Sequence, residues 1–235
     1  MAERKVVSCA TSIWVTADSV SNLLKQRHGE GIGEKISVLP QGFPSGQTDV
    51  IERPSGRRFL LVFTGNFYRD FRNPVELAKA LSLMKDLDIS FIVAGNNSAF
   101  EDLFHGVDGV KFLGQRSHFE CLELQRQADV LVNIGNVQSY QIPGKVYEYL
   151  GSKRPILHIQ TGEGSDPGAE LIESTGAGIV VKNSHQEIER VLRHMCLQWM
   201  NDPGKLMECR KESLIKDHSW SHRAVECKRL LQKIL

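Results

Sequence analysis

Asn133-Ile-Gly-Asn-Val-Gln-Ser-Tyr-Gln-Ile-Pro-Gly-Lys-Val-Tyr-Glu-Tyr-Leu-Gly151, followed at once by Ser152-Lys-Arg-Pro-Ile-Leu157, is the stretch that decides how this chain folds. A β-rich run ends at Asn133-Ile134, a polar loop follows, and Pro143-Gly144 introduces a helix over residues 144–151. Lys145 then stands in the first helical turn, where its charge opposes the helix dipole. That placement makes sense where an anion is held. Glu148 comes three positions later, and residues at i and i+3 share a helix face. Two readings stand side by side. One is an ion pair on a solvated surface. The other is a cation for phosphate beside a carboxylate for sugar hydroxyls, the pattern that a nucleoside diphosphate requires.

Outward from this segment, short β-rich runs alternate with longer helical patterns. Strands are expected at 12–16, 35–39, 58–64, 89–94, 110–113, 130–134, 155–159 and 178–181. Phe59-Leu-Leu-Val-Phe63 and Phe91-Ile-Val-Ala94 are continuous apolar runs, as in strands buried on both faces of a parallel sheet. Helices are expected at 20–27, 74–87, 144–151, 169–175, 186–201 and 221–235, with Leu77, Leu81 and Met84 at helical spacing in the second of these. The alternation predicts an α/β chain with a doubly wound parallel sheet. Residues 42–57 hold Pro44, Gly46, Pro54 and Gly56 among few apolar residues and read as a linker. The expected organisation is a remnant of a preceding domain at 1–41, the linker at 42–57, a Rossmann-like domain at 58–220 and a closing helix at 221–235.

A second stretch, Thr64-Gly-Asn-Phe-Tyr-Arg-Asp-Phe-Arg-Asn-Pro74, leaves a buried strand and opens a helix. At such a junction the carboxyl edge of a sheet meets a helix N-terminus, and both favour anions. Gly65 permits close backbone approach, and Arg69 and Arg72 carry charge suited to phosphate oxygens. A solvated loop with two surface arginines is the other reading of the same residues.

Together these segments resemble the donor-binding half of group 1 glycosyltransferases of the GT-B fold. That family carries a helix of the type P-x-K-x-x-E-Y-L-x-x-x-(K/R)-P-(I/V)-(I/L). Pro143, Lys145, Glu148, Tyr149, Leu150, Arg154, Pro155, Ile156 and Leu157 match it in order. Val38-Leu-Pro-Gln-Gly-Phe43 resembles the lead-in to the family's interdomain linker. Phe63-Thr-Gly-Asn-Phe-Tyr68 with Arg72-Asn-Pro74 resembles its first glycine-rich loop. Phe112-Leu-Gly-Gln-Arg116, Ala128-Asp-Val-Leu-Val132 and His218-Ser-Trp-Ser-His222 continue the likeness across most of the chain.

The resemblance implies a UDP- or GDP-type sugar donor, a saccharide or glycolipid acceptor, retention of configuration, and a role in polysaccharide or glycolipid assembly. It implies no metal and no other cofactor. Glu148 is expected to accept from the ribose, and Lys145 and Arg72 to stabilise the leaving diphosphate, helped by Arg69 and the helix N-terminus at Gly144. Gly65 and Asn66 would line the phosphate loop, and Gln115 and Arg116 the base. The chain also departs from the family. Of two glutamates that many members carry, the first falls here on Tyr140, so Gln141 or backbone amides from Asn136 onward would contact the donor sugar. The arginine that often follows the loop glycine is replaced by Asn66. With only a remnant of an acceptor-side domain, donor binding without transfer is expected of this chain alone. A non-catalytic nucleotide-sugar-binding module and a sugar-nucleotide epimerase of the same fold are the alternatives.

Composition fits a globular protein and excludes other classes. The 235 residues are 41% hydrophobic and 24% charged with a formal net charge of +1, so no global field draws in nucleic acid or an anionic membrane. Five cysteines without a Cys-x-x-Cys pair read as reduced thiols. No apolar run reaches the ~20 residues needed to span a bilayer, so a cytoplasmic location is expected, with peripheral membrane contact left open. Asp86-Leu-Asp88 reads as a solvated turn, residues 163–166 as ordinary polar loop, and Trp199 and Trp220 as packing residues.

Overall fold

The computed structural model describes residues 2–44, 57–137, 140 and 142–234. The first part of the chain runs α1 (Ala2–Cys9), β1 (Ile13–Val15), α2 (Asp18–His28) and β2 (Ile36–Val38). From β3 (Phe59–Thr64) it continues through α3 (Val75–Ser82), β4 (Ile89–Ala94), β5 (Val110–Gly114), α4 (His118–Gln127) and β6 (Val130–Ile134). Then come α5 (Gly144–Gly151), β7 (Ile156–Gln160), α6 (Pro167–Ser174), β8 (Gly178–Lys182), α7 (His185–Asn201), α8 (Glu212–Lys216) and α9 (Trp220–Gln232).

Strands β3 to β8 form one parallel sheet in the order β5-β4-β3-β6-β7-β8, while β1 and β2 pair in parallel as a separate two-stranded sheet. The apolar runs explain the large sheet. All six residues of β3 and all five of β6 are buried. Their side chains alternate between two cores. Phe59, Leu61 and Phe63 join Val130, Val132 and Ile134 beneath α3 and α7. Leu60, Val62 and Leu131 face Val146, Tyr149 and Leu150 of α5 and Ile172 of α6. A doubly wound parallel sheet is thus present as the sequence predicts, with helices on both faces.

Three local expectations are corrected. The helix expected over 74–87 stops at Ser82 because the next residues tighten into i→i−3 bonds, Leu83 N to Ala80 O and Met84 N to Leu81 O, before the chain drops into β4. Asp166 is not ordinary loop polarity. It caps α6, accepting from the amides of Gly168 and Ala169. Trp199 packs on Phe59, but Trp220 is half exposed at the start of α9 and does not pack as expected.

Residues 41–43 lie against α5. Phe43 exchanges backbone hydrogen bonds with His218 and Trp220, and a β-carbon added to Gly151 would meet the Phe43 ring at 2.7 Å. Residues 45–56 of the expected linker fall outside the described residues.

Candidate functional site

In a doubly wound sheet, ligands bind outside the carboxyl ends of the strands where the strand order reverses. Here β3, β4 and β5 run one way from the centre and β6, β7 and β8 the other, so the reversal lies between β3 and β6. The loops leaving those two strands carry residues 65–74 and the segment from Gly135 onward.

The first loop is fixed by asparagines. Asn97 Oδ1 accepts from the Phe67 amide at 2.7 Å, and its Nδ2 donates to Gly65 O at 2.9 Å. Asn66 Oδ1 accepts from the Asn96 amide at 2.9 Å, so Asn66 stitches two loops together. Gly95 is required at this junction. Its φ is +143°, and a β-carbon there would sit 1.9 Å from Gly65 O.

Arg72 crosses the crevice. Its Nη2 donates to Asn136 Oδ1 at 2.7 Å, joining the two loops that flank the reversal, and Nη1 makes a long contact of 3.5 Å with Asn66 O. Its Nε is buried without a hydrogen-bond partner, and among the described residues no carboxylate pairs with it. Burial pulls its pKa below the ordinary guanidinium value, the direction expected of a cation short of counter-charge. Arg69, at the tip of the loop, is exposed and gives its carbonyl to Asn73 Nδ2.

The second wall is α5. Pro143 precedes it, no side chain caps its N-terminus, and its first turn holds no acid. The Val146 amide turns back onto Pro143 O at 2.9 Å, and no side chain caps the amides of Gly144 and Lys145 before it. Lys145 Nζ pairs with Glu148 Oε2 at 2.6 Å, both side chains partly exposed, so the shared face read from the sequence is real and the ion pair forms. Behind them, Tyr149 OH accepts from the Thr64 amide at 2.9 Å, tying α5 to the end of β3. Burial pushes the Tyr149 phenol up to about 12, against the pull of its Thr64 hydrogen bonds, and it stays neutral. A β-carbon on Gly144 would come within 2.5 Å of Gln41 Oε1, so Gln41 also reaches the start of this helix.

The structure thus brings together Gly65, Asn66, Arg72, Asn136, Gly144, Lys145 and Glu148. Gln115 and Arg116 follow β5 at the sheet's edge, both exposed, and the Arg116 side chain turns back onto the Gln115 carbonyl. Gln141 lies outside the described residues. Two groups escaped sequence reasoning. Gln125 of α4 is wholly buried and touches Glu148. Asn133, His158 and Asp166 form a buried chain, with Asn133 Nδ2 to His158 Nδ1 at 2.7 Å and His158 Nε2 to Asp166 Oδ2 at 2.8 Å. A signal for α4 itself was present, since Ser117 and Glu120 form a capping box. Among the described residues, no cluster of three or more His, Cys, Asp and Glu side chains is arranged to hold a metal.

A parallel sheet of this order with its crevice at the central reversal is the Rossmann-like fold of the C-terminal half of GT-B glycosyltransferases. The chain is similar to a glycosyltransferase from Rickettsia africae (TM-score 0.74, 14% identity), over 95% of this chain and 63% of that one. It is similar to Anabaena HepE, solved in complex with UDP-glucose (TM-score 0.76, 13% identity), over 97% of this chain and 65% of that one. The pneumococcal O-GlcNAc transferase GtfA, solved with UDP and GlcNAc, matches 96% of this chain with 45% of its own (TM-score 0.68, 13% identity). This chain therefore spans less than two thirds of the length of these structures. No family model and no curated protein matches it by sequence.

Proposed function

We propose that this chain is the donor-binding part of a glycosyltransferase and that it holds a nucleoside diphosphate sugar across the β3/β6 crevice. The observation that carries this reading is Arg72, a guanidinium largely buried without a carboxylate and with an unpartnered Nε. A bound anion would supply what that cation lacks. The uncapped start of α5 faces the same need from the other wall. UDP is favoured over GDP because two structural neighbours are described with UDP or a UDP sugar.

In this reading Glu148 accepts from the ribose, with Lys145 paired to it and adding positive potential beside the phosphates. As the glycosidic bond breaks, charge grows on the diphosphate, and Arg72, Lys145 and the first amides of α5 stabilise it. Arg69 adds charge at the rim, and the turn at Asn136 contacts the sugar. Transfer to a saccharide or glycolipid, with retention, would need an acceptor-side domain of the kind that the longer structural neighbours have room for. The test is calorimetry of this chain with UDP, GDP and their hexose conjugates. Binding of one nucleotide family in the micromolar range, weakened in Lys145→Ala and Glu148→Gln, is expected. Silence with every nucleotide overturns the proposal.

One observation favours a second reading, a non-catalytic nucleotide-sugar-binding module. Tyr140 stands where the resembled family often has a glutamate, and its carbonyl accepts from Ser19 Oγ at 2.8 Å. Turnover of a bound donor, by transfer or by slow hydrolysis, would exclude the module.

A further inference from the structure

Gln125 sits inside α4, a helix that its sequence marks as polar, yet its side chain is 0% exposed. Its Nε2 donates to Thr64 Oγ1 at 2.9 Å and to Glu148 Oε2 at 3.2 Å. Its Oε1 is buried and has no hydrogen-bond partner. A buried amide oxygen left without a donor works against stability, so the arrangement is not explained by packing alone. The orientation of the amide is fixed by its neighbours. Turned over, it would set a carbonyl oxygen against the Glu148 carboxylate.

The consequence falls on Glu148. Among the described residues, the hydrogen bonds to its carboxylate come from Gln125 and Lys145 and both land on Oε2, which leaves Oε1 to accept from a ligand. Lys145 is on the same helix and partly exposed, so it follows Glu148 wherever the carboxylate turns. Gln125 is different. It reaches across from another helix whose first turn is locked by the Ser117–Glu120 capping box. It is also braced by Thr64 at the end of β3, which is itself tied to Tyr149. The amide thus refers the carboxylate to the sheet.

We propose that Gln125 is a positioning residue that holds Glu148 in the one orientation that accepts from a ribose 2′-hydroxyl, and so sets selectivity for ribonucleotides over 2′-deoxyribonucleotides. This rests on the nucleotide reading above. The experiment is calorimetry of the whole chain with UDP, 2′-deoxy-UDP, GDP and 2′-deoxy-GDP, comparing the wild type with Gln125→Met and Glu148→Gln. A carboxylate-to-hydroxyl bond predicts a preference of roughly 10-fold for the ribonucleotide in the wild type. Gln125→Met keeps the length of the side chain and removes the amide. It should bring the preference to about 3-fold or less while deoxynucleotide affinity changes little. Glu148→Gln should do the same. A role in packing alone would weaken both nucleotides equally and leave their ratio unchanged, and that outcome overturns the proposal. If Gln125→Met melts well below the wild type, Gln125→Asn provides the second reading, since it keeps a polar amide but withdraws it from Glu148 by one methylene. An unchanged ratio there also overturns it. A wild type that binds ribo- and deoxynucleotides alike removes the ribose role of Glu148. A wild type that binds neither removes the nucleotide reading itself.

Discussion

Replacing Arg72 by methionine separates a binding cation from a structural one, because the two roles predict opposite balances of stability and affinity. In the free protein the guanidinium makes one good hydrogen bond, to Asn136 Oδ1 at 2.7 Å, and leaves Nε buried without a partner. The lost bond is worth about 1.5–3 kcal/mol as a charged interaction. Against it stands the cost of holding a cation out of water without a counter-ion, several kcal/mol per buried ion before relaxation. The two terms nearly cancel, so Arg72→Met should change unfolding free energy by no more than ~1 kcal/mol, in either direction. With a diphosphate bound, the balance differs. Two charge-assisted bonds from the guanidinium, discounted for desolvating the phosphate, come to about 2–4 kcal/mol, or roughly 30- to 1,000-fold in Kd. Urea unfolding supplies the first number and calorimetry with UDP or its hexose conjugates the second. A variant that loses 3 kcal/mol or more of stability while Kd moves less than threefold would refute the argument and make Arg72 a structural brace between two loops.

Three further outcomes follow from other parts of the structure. Asp129, at the start of β6, is buried between Arg57 and the Leu60 amide at the edge of the sheet away from the crevice. Asp129→Ala should cost about 3–5 kcal/mol in urea unfolding, because it strands Arg57, while nucleotide affinity stays the same. Glu76 is held by Lys79 and His185, and these hydrogen bonds lower its pKa to about 2. A depressed carboxylate adds stability above its unfolded pKa and loses it as pH falls through the folded value. The wild type should therefore lose its advantage over Glu76→Gln between about pH 4.5 and pH 2, seen in acid unfolding curves. Gly95→Ala would force a β-carbon onto Gly65 O, so thermal melting should fall and nucleotide affinity should drop with it, since the loop displaced is the one that carries Arg72.

The sheet was legible because burial on both faces leaves continuous apolar runs that polar loops interrupt. Residues 89–94 and 130–134 coincide with β4 and β6 residue for residue. The Lys145–Glu148 pair was legible because helical spacing puts both on one face. What could not be read were contacts made by the fold rather than by spacing. Gln125 looks like a solvated glutamine in a polar helix until α4 is laid across β3 and α5. His158 and Asp166 are only eight residues apart, yet nothing local shows that the middle of β7 and the cap of α6 meet beneath Gly135. Arg72 could be read either as a surface arginine or as a phosphate ligand, and the difference lies in its burial, which the sequence does not carry.

The approach of Gln41 and Phe43 to the two ends of α5 bears on how the protein is cut. Trimming the chain ahead of β3 looks natural, because the first two strands form a small sheet of their own. Yet α5 begins and ends in glycine where residues 41–43 lie over it. A version beginning at residue 57 would keep every side chain of the crevice and strip the outer cover from the helix that carries Lys145 and Glu148. It would expose two bare glycines at the ends of an eight-residue helix, where fraying costs least to start. The leading segment is therefore part of the mounting of the site, and a shortened protein would report on a loosened helix rather than on an isolated nucleotide domain.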